Sequence, residues 1–435
     1  MDGRYAASPT GVPGTPGPPA VRRSLSTYAR AIARQLPSRL LAHATGSGRH
    51  RPAPLGHPER GRGRSWGLGR WIGLVAVALL VAAGLTIGIT RLTDEWRPPP
   101  GPGPSTCGPQ VSALPLRARL AQRLMVGVNP AQPDSARAAV ARYGVGGVFI
   151  GGNPTAILRG NALGPAHAAG PVPVSVAVDE EGGRVQRIDQ LDGSMPSART
   201  MAATMNPEQV HALGAARGRQ LSARGVTVDM APVLDVDGGP EDGAIGDRSF
   251  SADPNTAARY AGAFAAGLRD AGVLPVFKHF PGHGRASGDS HDGLVTTPAL
   301  GELRSDDLVP YRELLGTGTA AVMVGHLNVP GLTNGLPASL SPAAYQLLRS
   351  EYGFHGLVMT DDLGAMKAVT DRFDLPDAVL TALRAGADMA LWTSTAELST
   401  VLDRLQAAVA DGTLPESNVD QATARILAAK GRCAA

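Results

Sequence analysis

Short apolar runs recur along residues 107–435, and longer segments of mixed polarity separate them. This alternation is typical of βα units, because strands buried in a parallel sheet read as nearly continuous apolar stretches. Eight such units predict an α/β fold, a TIM-type (β/α)8 barrel in a single domain. The predicted strands are Leu124–Val128, Gly146–Ile150, Val172–Val178, Val226–Val236, Val273–Phe277, Ala320–Val324, Gly356–Met359 and Ala387–Leu391. An open doubly wound sheet is the alternative, but it would want a glycine-rich phosphate turn after the first strand, which Leu124–Pro130 does not have.

Polar side chains follow four of the predicted strands at the point where each strand ends. The catalytic groups of a TIM barrel lie at the carboxyl ends of its strands, which all meet at one rim. We therefore expect one active site, built from the segments Asp179–Arg187, Lys278–His279, Gly325–His326 and Thr360–Asp362.

Trp71–Thr90 is a run of twenty residues without a charged side chain. As a helix rising about 1.5 Å per residue it would be roughly 30 Å long, which matches the hydrocarbon thickness of a bilayer. A buried core helix would normally have a polar face, and a cleaved signal peptide would normally have a shorter apolar run and no long basic segment before it. The run is predicted to be an uncleaved transmembrane signal anchor.

Charge is distributed unevenly along the chain. Residues 1–70 contain twelve Arg and no Lys and carry a net charge of +10, whereas the whole chain carries +4 and residues 98–435 carry −6. An excess of Arg before the span predicts a single-pass protein of the cell membrane, with its N-terminus in the cytoplasm and its catalytic domain outside. Because the basic residues lie in the tail, the folded domain is not expected to bind nucleic acid.

Proline and glycine dominate two further segments. Residues 1–70 have little that could form a packed core and are predicted to be a disordered, Arg-rich cytoplasmic tail. Residues 91–106 include Pro98–Pro104 and are predicted to be a semi-rigid linker that separates the anchor at 71–90 from the domain at 107–435.

The densest group of chemically active side chains lies between Lys278 and His291. The sequence KHFPGHG at 278–284 is followed by Asp289-Ser290-His291. Neither His283 nor His326 belongs to a cluster with the usual spacing of zinc ligands, so structural hydrogen bonds are favoured over metal ligation for both. No metal or other cofactor is expected.

At these positions the chain resembles the bacterial β-N-acetylglucosaminidases of glycoside hydrolase family 3, the NagZ type. The matching segments occur in the order of the family and span nearly all of residues 111–430. They are VDEEGGRVQR at 178–187, APVLDV at 231–236, DRSF at 247–250, KHFPGHG at 278–284 with DSH at 289–291, and GLVMTDDL at 356–363.

The resemblance implies a role for individual residues of this chain. Asp361 would be the nucleophile, His291 the general acid/base and Asp289 the carboxylate that orients His291. The side chains that would hold the sugar hydroxyls are Asp179, Arg187, Arg248, Lys278 and His279. The substrates implied are carbohydrates, namely GlcNAc-containing cell-wall fragments.

The chemistry of these side chains is compatible with a retaining glycosidase. Such an enzyme needs a nucleophile on one face of the anomeric carbon and a proton donor on the side of the leaving group. An imidazole titrates close to working pH, and the carboxylate of Asp289, two residues before His291, could favour its protonated form. Gly282, Gly284 and Gly288 would let the loop bring His291 in and out of the site.

Several alternatives stay open at this stage. Asp361 could be a helix N-cap, Asp289 and His291 could be a solvated loop pair, and Asp235 could line the sugar site or support the barrel. The contacts of Glu180, where the family more often has Gln or His, are not determined by the pattern. A glycoside phosphorylase, a β-glucosidase of the same fold and an inactive sugar-binding barrel are the competing functions. The catalytic domain is expected to be monomeric.

The two cysteines, Cys107 and Cys433, lie at opposite ends of the predicted barrel. The first and last strands of a closed barrel are neighbours, and an exported domain permits disulfides. We predict a Cys107–Cys433 disulfide. Lipidation of Cys107 is less favoured, because Gly103–Thr106 lacks the Leu and small residues of a lipoprotein cleavage site.

Overall fold

The computed structural model of the chain describes residues 107–153 and 156–433. The predicted tail, membrane anchor and linker at 1–106 lie outside the described residues and stay predictions. Among the helices within the described residues, none is long and apolar enough to cross a membrane.

Eight parallel strands close into a barrel, which confirms the predicted fold. The barrel strands are β1 Leu124–Gly127, β2 Gly147–Phe149, β3 Ser175–Val178, β4 Val228–Asp229, β5 Leu274–Phe280, β7 Ala321–Val324, β9 Val358–Asp362 and β10 Met389–Trp392. Their order around the barrel is β1-β10-β9-β7-β5-β4-β3-β2, and β2 pairs with β1 to close the ring. A separate two-stranded sheet pairs β6 Val295–Thr296 with β8 Leu327–Asn328.

Helices surround the strands, and polar side chains fix where several of them begin. Asn206 and Gln209 form a reciprocal capping box at the start of the helix Pro207–Ala223, and Asp253 caps the helix Pro254–Asp270. The α-helices are Gly108–Ser112, Leu116–Gln122, Ser135–Tyr143, Gly164–His167, Asp189–Asp192, Ala198–Thr204, Pro207–Ala223, Pro254–Asp270, Leu300–Ser305, Val309–Leu314, Pro342–Gln346, Lys367–Thr370, Leu375–Ala385, Leu398–Ala410 and Glu416–Ala429. Short 3-10 turns occur at Gly246–Arg248 and Ala338–Leu340, and a π-helical turn at Leu347–Glu351.

The strand boundaries differ from the predicted ones at two places that matter for the site. The fourth strand is only Val228–Asp229, since Pro232 has no N–H to continue the ladder. Strand β5 continues to Phe280, three residues further than predicted, so Lys278 and His279 are part of the strand. The sheet of β6 and β8 was not predicted, because two-residue strands leave no periodic pattern.

Alternate residues of each strand face either the barrel interior or the surrounding helices. In β7, Ala321 and Met323 belong to the interior cluster, and Val322 and Val324 belong to the layer between strands and helices. The same alternation holds for Met125 in β1, Ala177 in β3, Val276 in β5 and Met359 in β9, all of which face the interior. The barrel is therefore a packed core and not a pore.

A cluster of ion pairs around the buried Asp388 lies at the amino ends of β9 and β10. Asp388 is completely buried, and its two oxygens accept hydrogen bonds from Arg349 Nη2 at 2.7 Å and from Arg425 Nε at 2.8 Å. The same carboxylate accepts from the backbone N–H of Val358 at 2.8 Å. Burial by itself would raise the pKa of Asp388, but the guanidinium groups of Arg425 and Arg349 outweigh it, so the pKa lies below its usual value.

A disulfide joins Cys107 to Cys433, whose Cα atoms are 5.3 Å apart. It links the residue before the first described helix to the segment after the last one, and the two cysteines are 326 positions apart in the chain. The cross-link therefore holds both ends of the barrel sequence together.

Removing the disulfide with Cys107→Ser/Cys433→Ser should lower the free energy of unfolding by roughly 3 to 5 kcal/mol, because the cross-link restricts the unfolded chain. Urea unfolding of the oxidised protein and of the double variant measures the difference. Unreduced, unfolded wild-type protein should show no titratable thiol. Two thiols in that assay would contradict the disulfide.

Asp388→Asn should lower the free energy of unfolding by about 3 to 5 kcal/mol at neutral pH, because it leaves the partly buried Arg349 and Arg425 without their charged partner. The pKa of Asp388 is lower in the folded protein than in the unfolded chain, where it is about 3.9. Ionised Asp388 therefore stabilises the folded protein at pH values above about 3.9. This stabilisation is lost as the pH falls through the pKa that Asp388 has in the folded protein. The difference between wild type and variant should therefore shrink below about pH 4. The control is Asp403→Asn, which breaks the exposed pair with Arg117 and should cost less than about 1 kcal/mol.

Candidate active site

The alternation along the strands explains why charged side chains point into the barrel mouth. Asp179, Lys278 and Asp361 each lie two residues after an interior-facing residue, namely Ala177, Val276 and Met359. Side chains two residues apart in a strand share a face. These three polar groups consequently form the next layer above the apolar interior of the barrel.

A cavity of about 630 Å³ opens on this layer. Buried apolar side chains of the barrel interior form part of its wall, including Phe149, Met230, Met323 and Leu391. The charged and imidazole groups that line it are Asp179, Glu181, Arg187, Arg248, Lys278, His279, His291, Asp361 and Asp362. Seven of the eight predicted site residues are thus brought together, and the eighth, Asp289, contacts His291.

Lys278 is the centre of a buried ion cluster at the floor of the pocket. Its ammonium group is 2.7 Å from Asp179 Oδ1 and 2.6 Å from Glu181 Oε1, and only 2% of the side chain is exposed. Arg248 donates two hydrogen bonds to Glu181, at 2.7 and 2.8 Å. Burial opposes the charged form of Lys278, but the carboxylates of Asp179 and Glu181 reverse that effect and raise its pKa. Lys278 is therefore a cation at neutral pH.

Glu181 was not among the predicted substrate-binding residues. Burial would raise its pKa, but Arg248 and Lys278 outweigh burial and hold the pKa far below its usual value. A carboxylate held ionised in this way cannot serve as a proton donor. Glu181 lies two residues after Asp179 and close to the end of β3, and this position in the sequence could have identified it as a residue of the pocket.

The segment Asp179–Arg187 makes a tight turn that returns to the pocket. Gly182 has a φ of +95°, and a Cβ atom built on it would lie 2.2 Å from the carbonyl oxygen of Pro196, so only glycine fits there. The turn brings Arg187 Nη2 to 3.6 Å from Asp179 Oδ2. Both ends of the turn thereby line the pocket.

His279 is oriented by Asp235, a carboxylate below the pocket wall. Asp235 is completely buried and accepts hydrogen bonds from His279 Nδ1 at 2.7 Å and from the backbone N–H of His283 at 2.7 Å. Burial would raise the pKa of Asp235, but His279 and His283 lower it overall. Asp235, which the sequence left open, therefore supports His279 and does not line the described cavity.

Asp361 lies in strand β9 and faces the pocket. Burial would raise its pKa, but the electrostatic influence of His279 and His326, the N–H of Asp362 at 2.8 Å and the charge of Lys278 together lower it. Asp361 is therefore ionised at neutral pH. It does not cap a helix, because the next helix begins only at Lys367.

The backbone after Asp361 is held by side chains from neighbouring strands. Asp362 accepts hydrogen bonds from the Thr393 hydroxyl at 2.7 Å and from the Gly364 N–H at 2.8 Å. His326 Nε2 donates to the carbonyl oxygen of Asp362 at 2.9 Å, and its Nδ1 contacts the Ser339 hydroxyl at 2.6 Å. Burial lowers the pKa of His326, so the neutral ring acts as a fixed hydrogen-bonding strut.

The loop after β5 supplies His291. Its Nδ1 lies 2.7 Å from Asp289 Oδ1, and its backbone N–H donates to the same oxygen at 2.9 Å. Although partial burial would raise the pKa of Asp289, the hydrogen bonds and charge of His291 lower it. Since an ionised carboxylate only accepts, Nδ1 of His291 carries the proton of this bond and Nε2 is left for other chemistry.

Two further contacts tie this loop to the barrel. Ser290 is buried, and its hydroxyl oxygen lies 3.2 Å from His283 Nε2. The carbonyl oxygen of Ser290 accepts a hydrogen bond from the backbone N–H of Ala368 at 3.3 Å. Burial lowers the pKa of His283, which is consistent with a neutral ring in a structural hydrogen bond. Within residues 107–153 and 156–433, no group of three or more His, Cys, Asp or Glu side chains has an arrangement that could hold a metal ion.

Comparison with known proteins finds relatives and solved structures that are similar to this chain over most of the described domain. The beta-hexosaminidase LpqI of Mycobacterium tuberculosis is 52% identical over 340 residues, which are 76% of this chain and 87% of that protein. A solved glycosyl hydrolase of family 3 from Mycobacterium smegmatis is 55% identical, with a TM-score of 0.72, over 73% of this chain and 98% of that one. A family 3 beta-N-acetylglucosaminidase from Paenibacillus is 32% identical, with a TM-score of 0.68, over 73% of this chain and 62% of that one.

A family model described as the glycosyl hydrolase family 3 N terminal domain matches residues 115–429. That range includes all eight barrel strands and every side chain that lines the pocket. The chain therefore belongs to glycosyl hydrolase family 3.

Proposed function

We propose that the protein is a retaining exo-β-N-acetylglucosaminidase that releases terminal GlcNAc from peptidoglycan-derived fragments or related β-glycosides. The observation that carries the proposal is that an ionised Asp361 and the Asp289-paired His291 come from different segments to one pocket. Relatives named beta-hexosaminidase and beta-N-acetylglucosaminidase support the class of substrate.

In the first step, the Asp361 carboxylate bonds to the anomeric carbon as the bond from that carbon to the leaving oxygen breaks. His291 gives the proton on Nε2 to the leaving oxygen, and the Nδ1–H bond to Asp289 holds the ring and favours the imidazolium beforehand. In the second step, neutral His291 takes a proton from water at Nε2. The water oxygen bonds to the anomeric carbon, and Asp361 is released.

The size and chemistry of the pocket support action on a terminal sugar. Its floor is closed by buried residues of the barrel interior, so a chain cannot pass through it. The paired carboxylates and cations that line the pocket can hydrogen-bond the hydroxyl groups of one sugar ring.

Hydrolysis is favoured over phosphorolysis by the pairing of the cations. Each Lys or Arg side chain that lines the described pocket lies within 3.6 Å of a carboxylate. Lys278 and Arg187 pair with Asp179, and Arg248 pairs with Glu181. A phosphate anion would have to compete with those carboxylates. Neutral water has no such competition.

Turnover of nitrophenyl β-N-acetylglucosaminide should exceed that of the matching glucoside by at least about a hundredfold, and the product should be free GlcNAc. The reaction is run with and without inorganic phosphate. Equal rates on the two sugars would contradict the N-acetylglucosaminide specificity. Accumulation of sugar 1-phosphate would show that the phosphorylase alternative is right.

Asp361→Ala should lose nearly all turnover for every leaving group. His291→Ala should lose about 10²- to 10⁴-fold for a sugar aglycone but much less for a dinitrophenyl leaving group, because an activated phenolate departs without a proton. Water then lacks its base, so a burst of phenol equal to the enzyme concentration should appear. Asp289→Ala should lie between wild type and His291→Ala.

The control for the loop is Asp292→Ala, an exposed carboxylate beside His291. It should leave both rates close to those of the wild type. Equal losses of His291→Ala across good and poor leaving groups, without a burst, would show that His291 is not the proton donor.

A further inference from the structure

The carboxyl group of Glu180 is completely buried and does not line the pocket, and burial raises its pKa. Its Oε2 accepts a hydrogen bond from the backbone N–H of Arg187 at 2.5 Å and another from that of Ile188 at 3.1 Å. These donors lie seven and eight residues later in the chain. The Glu180 side chain therefore closes the base of the Asp179–Arg187 turn.

Two neighbouring elements fix Glu180 itself. Its backbone N–H donates to Asp229 Oδ1, at the end of β4, at 2.9 Å. Its Oε1 lies 3.6 Å from Arg217 Nη1, and the Arg217 side chain is only 4% exposed. Arg217 belongs to the helix Pro207–Ala223 and also donates to the carbonyl oxygen of Gly193 at 2.7 Å. The barrel and its outer helix thus hold the same carboxylate.

The residues that this carboxylate connects are the two ends of the turn. Asp179 precedes Glu180 in the chain, and Arg187 supplies one of the bonded N–H groups. Both Asp179 and Arg187 line the pocket, where Asp179 also accepts from Lys278. A small movement of either backbone would displace a group that faces the sugar.

We propose that Glu180 is a positioning residue, which fixes Asp179 and Arg187 relative to one another by closing the turn between them. This rests on the proposed function, since the two groups that it positions are taken to bind the sugar. Glu180 acts only through its neighbours and does not contact the substrate. Replacing its oxygen acceptors should loosen the turn and weaken sugar binding without touching Asp361 or His291.

The test is a double-mutant cycle with Arg187. Glu180→Ala should lower kcat/KM on nitrophenyl β-N-acetylglucosaminide by at least about tenfold, because it misplaces Arg187. In the Arg187→Ala background the same change should cost much less, since the group that Glu180 positions is already gone. Losses that multiply would overturn the proposal, because a purely structural role acts equally in both backgrounds.

Glu180→Gln and Asp192→Asn are the matched variants. Gln keeps an oxygen that can accept from both N–H groups, so Glu180→Gln should restore most of the activity lost in Glu180→Ala. The Asp192 side chain pairs with Arg224, the residue that follows the same outer helix, at 2.7 and 2.8 Å. Asp192→Asn should leave kcat/KM within about twofold of wild type even if it lowers the melting temperature.

Amide hydrogen exchange tests the turn without any substrate. The N–H groups of Arg187 and Ile188 should be protected in the wild type, exchange faster in Glu180→Ala and stay protected in Glu180→Gln. Unchanged exchange in Glu180→Ala would overturn the positioning role. Faster exchange in a protein that cleaves no N-acetylglucosaminide would support the role and reject the proposed function instead.

Discussion

The site depends on one buried cation. Lys278 is almost completely desolvated and stays charged because Asp179 and Glu181 lie within 2.7 Å of its ammonium group. A lone charge at that depth would be strongly unfavourable, so the carboxylates and Lys278 require each other. Arg248 then neutralises the second charge of the group through its paired bonds to Glu181. The positions of the charged groups that line the pocket follow from this mutual requirement.

Sequence reasoning could predict the barrel and most of this layer. The eight apolar runs correspond to the eight strands, because strands buried on both faces have to be apolar along their whole length. Asp179, Lys278 and Asp361 could be placed at one rim, because the carboxyl ends of parallel strands meet there. Arg187 and His279 belong to the same strand-end segments. The quoted motifs added Arg248 and His291, which lie too far along the chain from the strand ends for that rule to place them.

What the sequence did not determine are the contacts between segments far apart in the chain. Glu181 bonds to Arg248, 67 residues later, and Asp235 bonds to His279, 44 residues later. No local pattern distinguishes a carboxylate that meets a cation in this way from one that is solvated on a loop. The same holds for Glu180, whose partners became visible only when the turn and the outer helix were placed together.

The pairing of charges has a consequence for what the pocket can bind. Lys278, Arg187 and Arg248 each face a carboxylate, so the site presents many hydrogen-bonding groups but few uncompensated charges. Fixed dipoles and paired ions that are already oriented cost no reorganisation when charge develops in a transition state. A neutral sugar ring suits such a site. In the proposed mechanism, the Asp361 carboxylate stabilises the positive charge that develops at the anomeric carbon, and His291 supplies the proton.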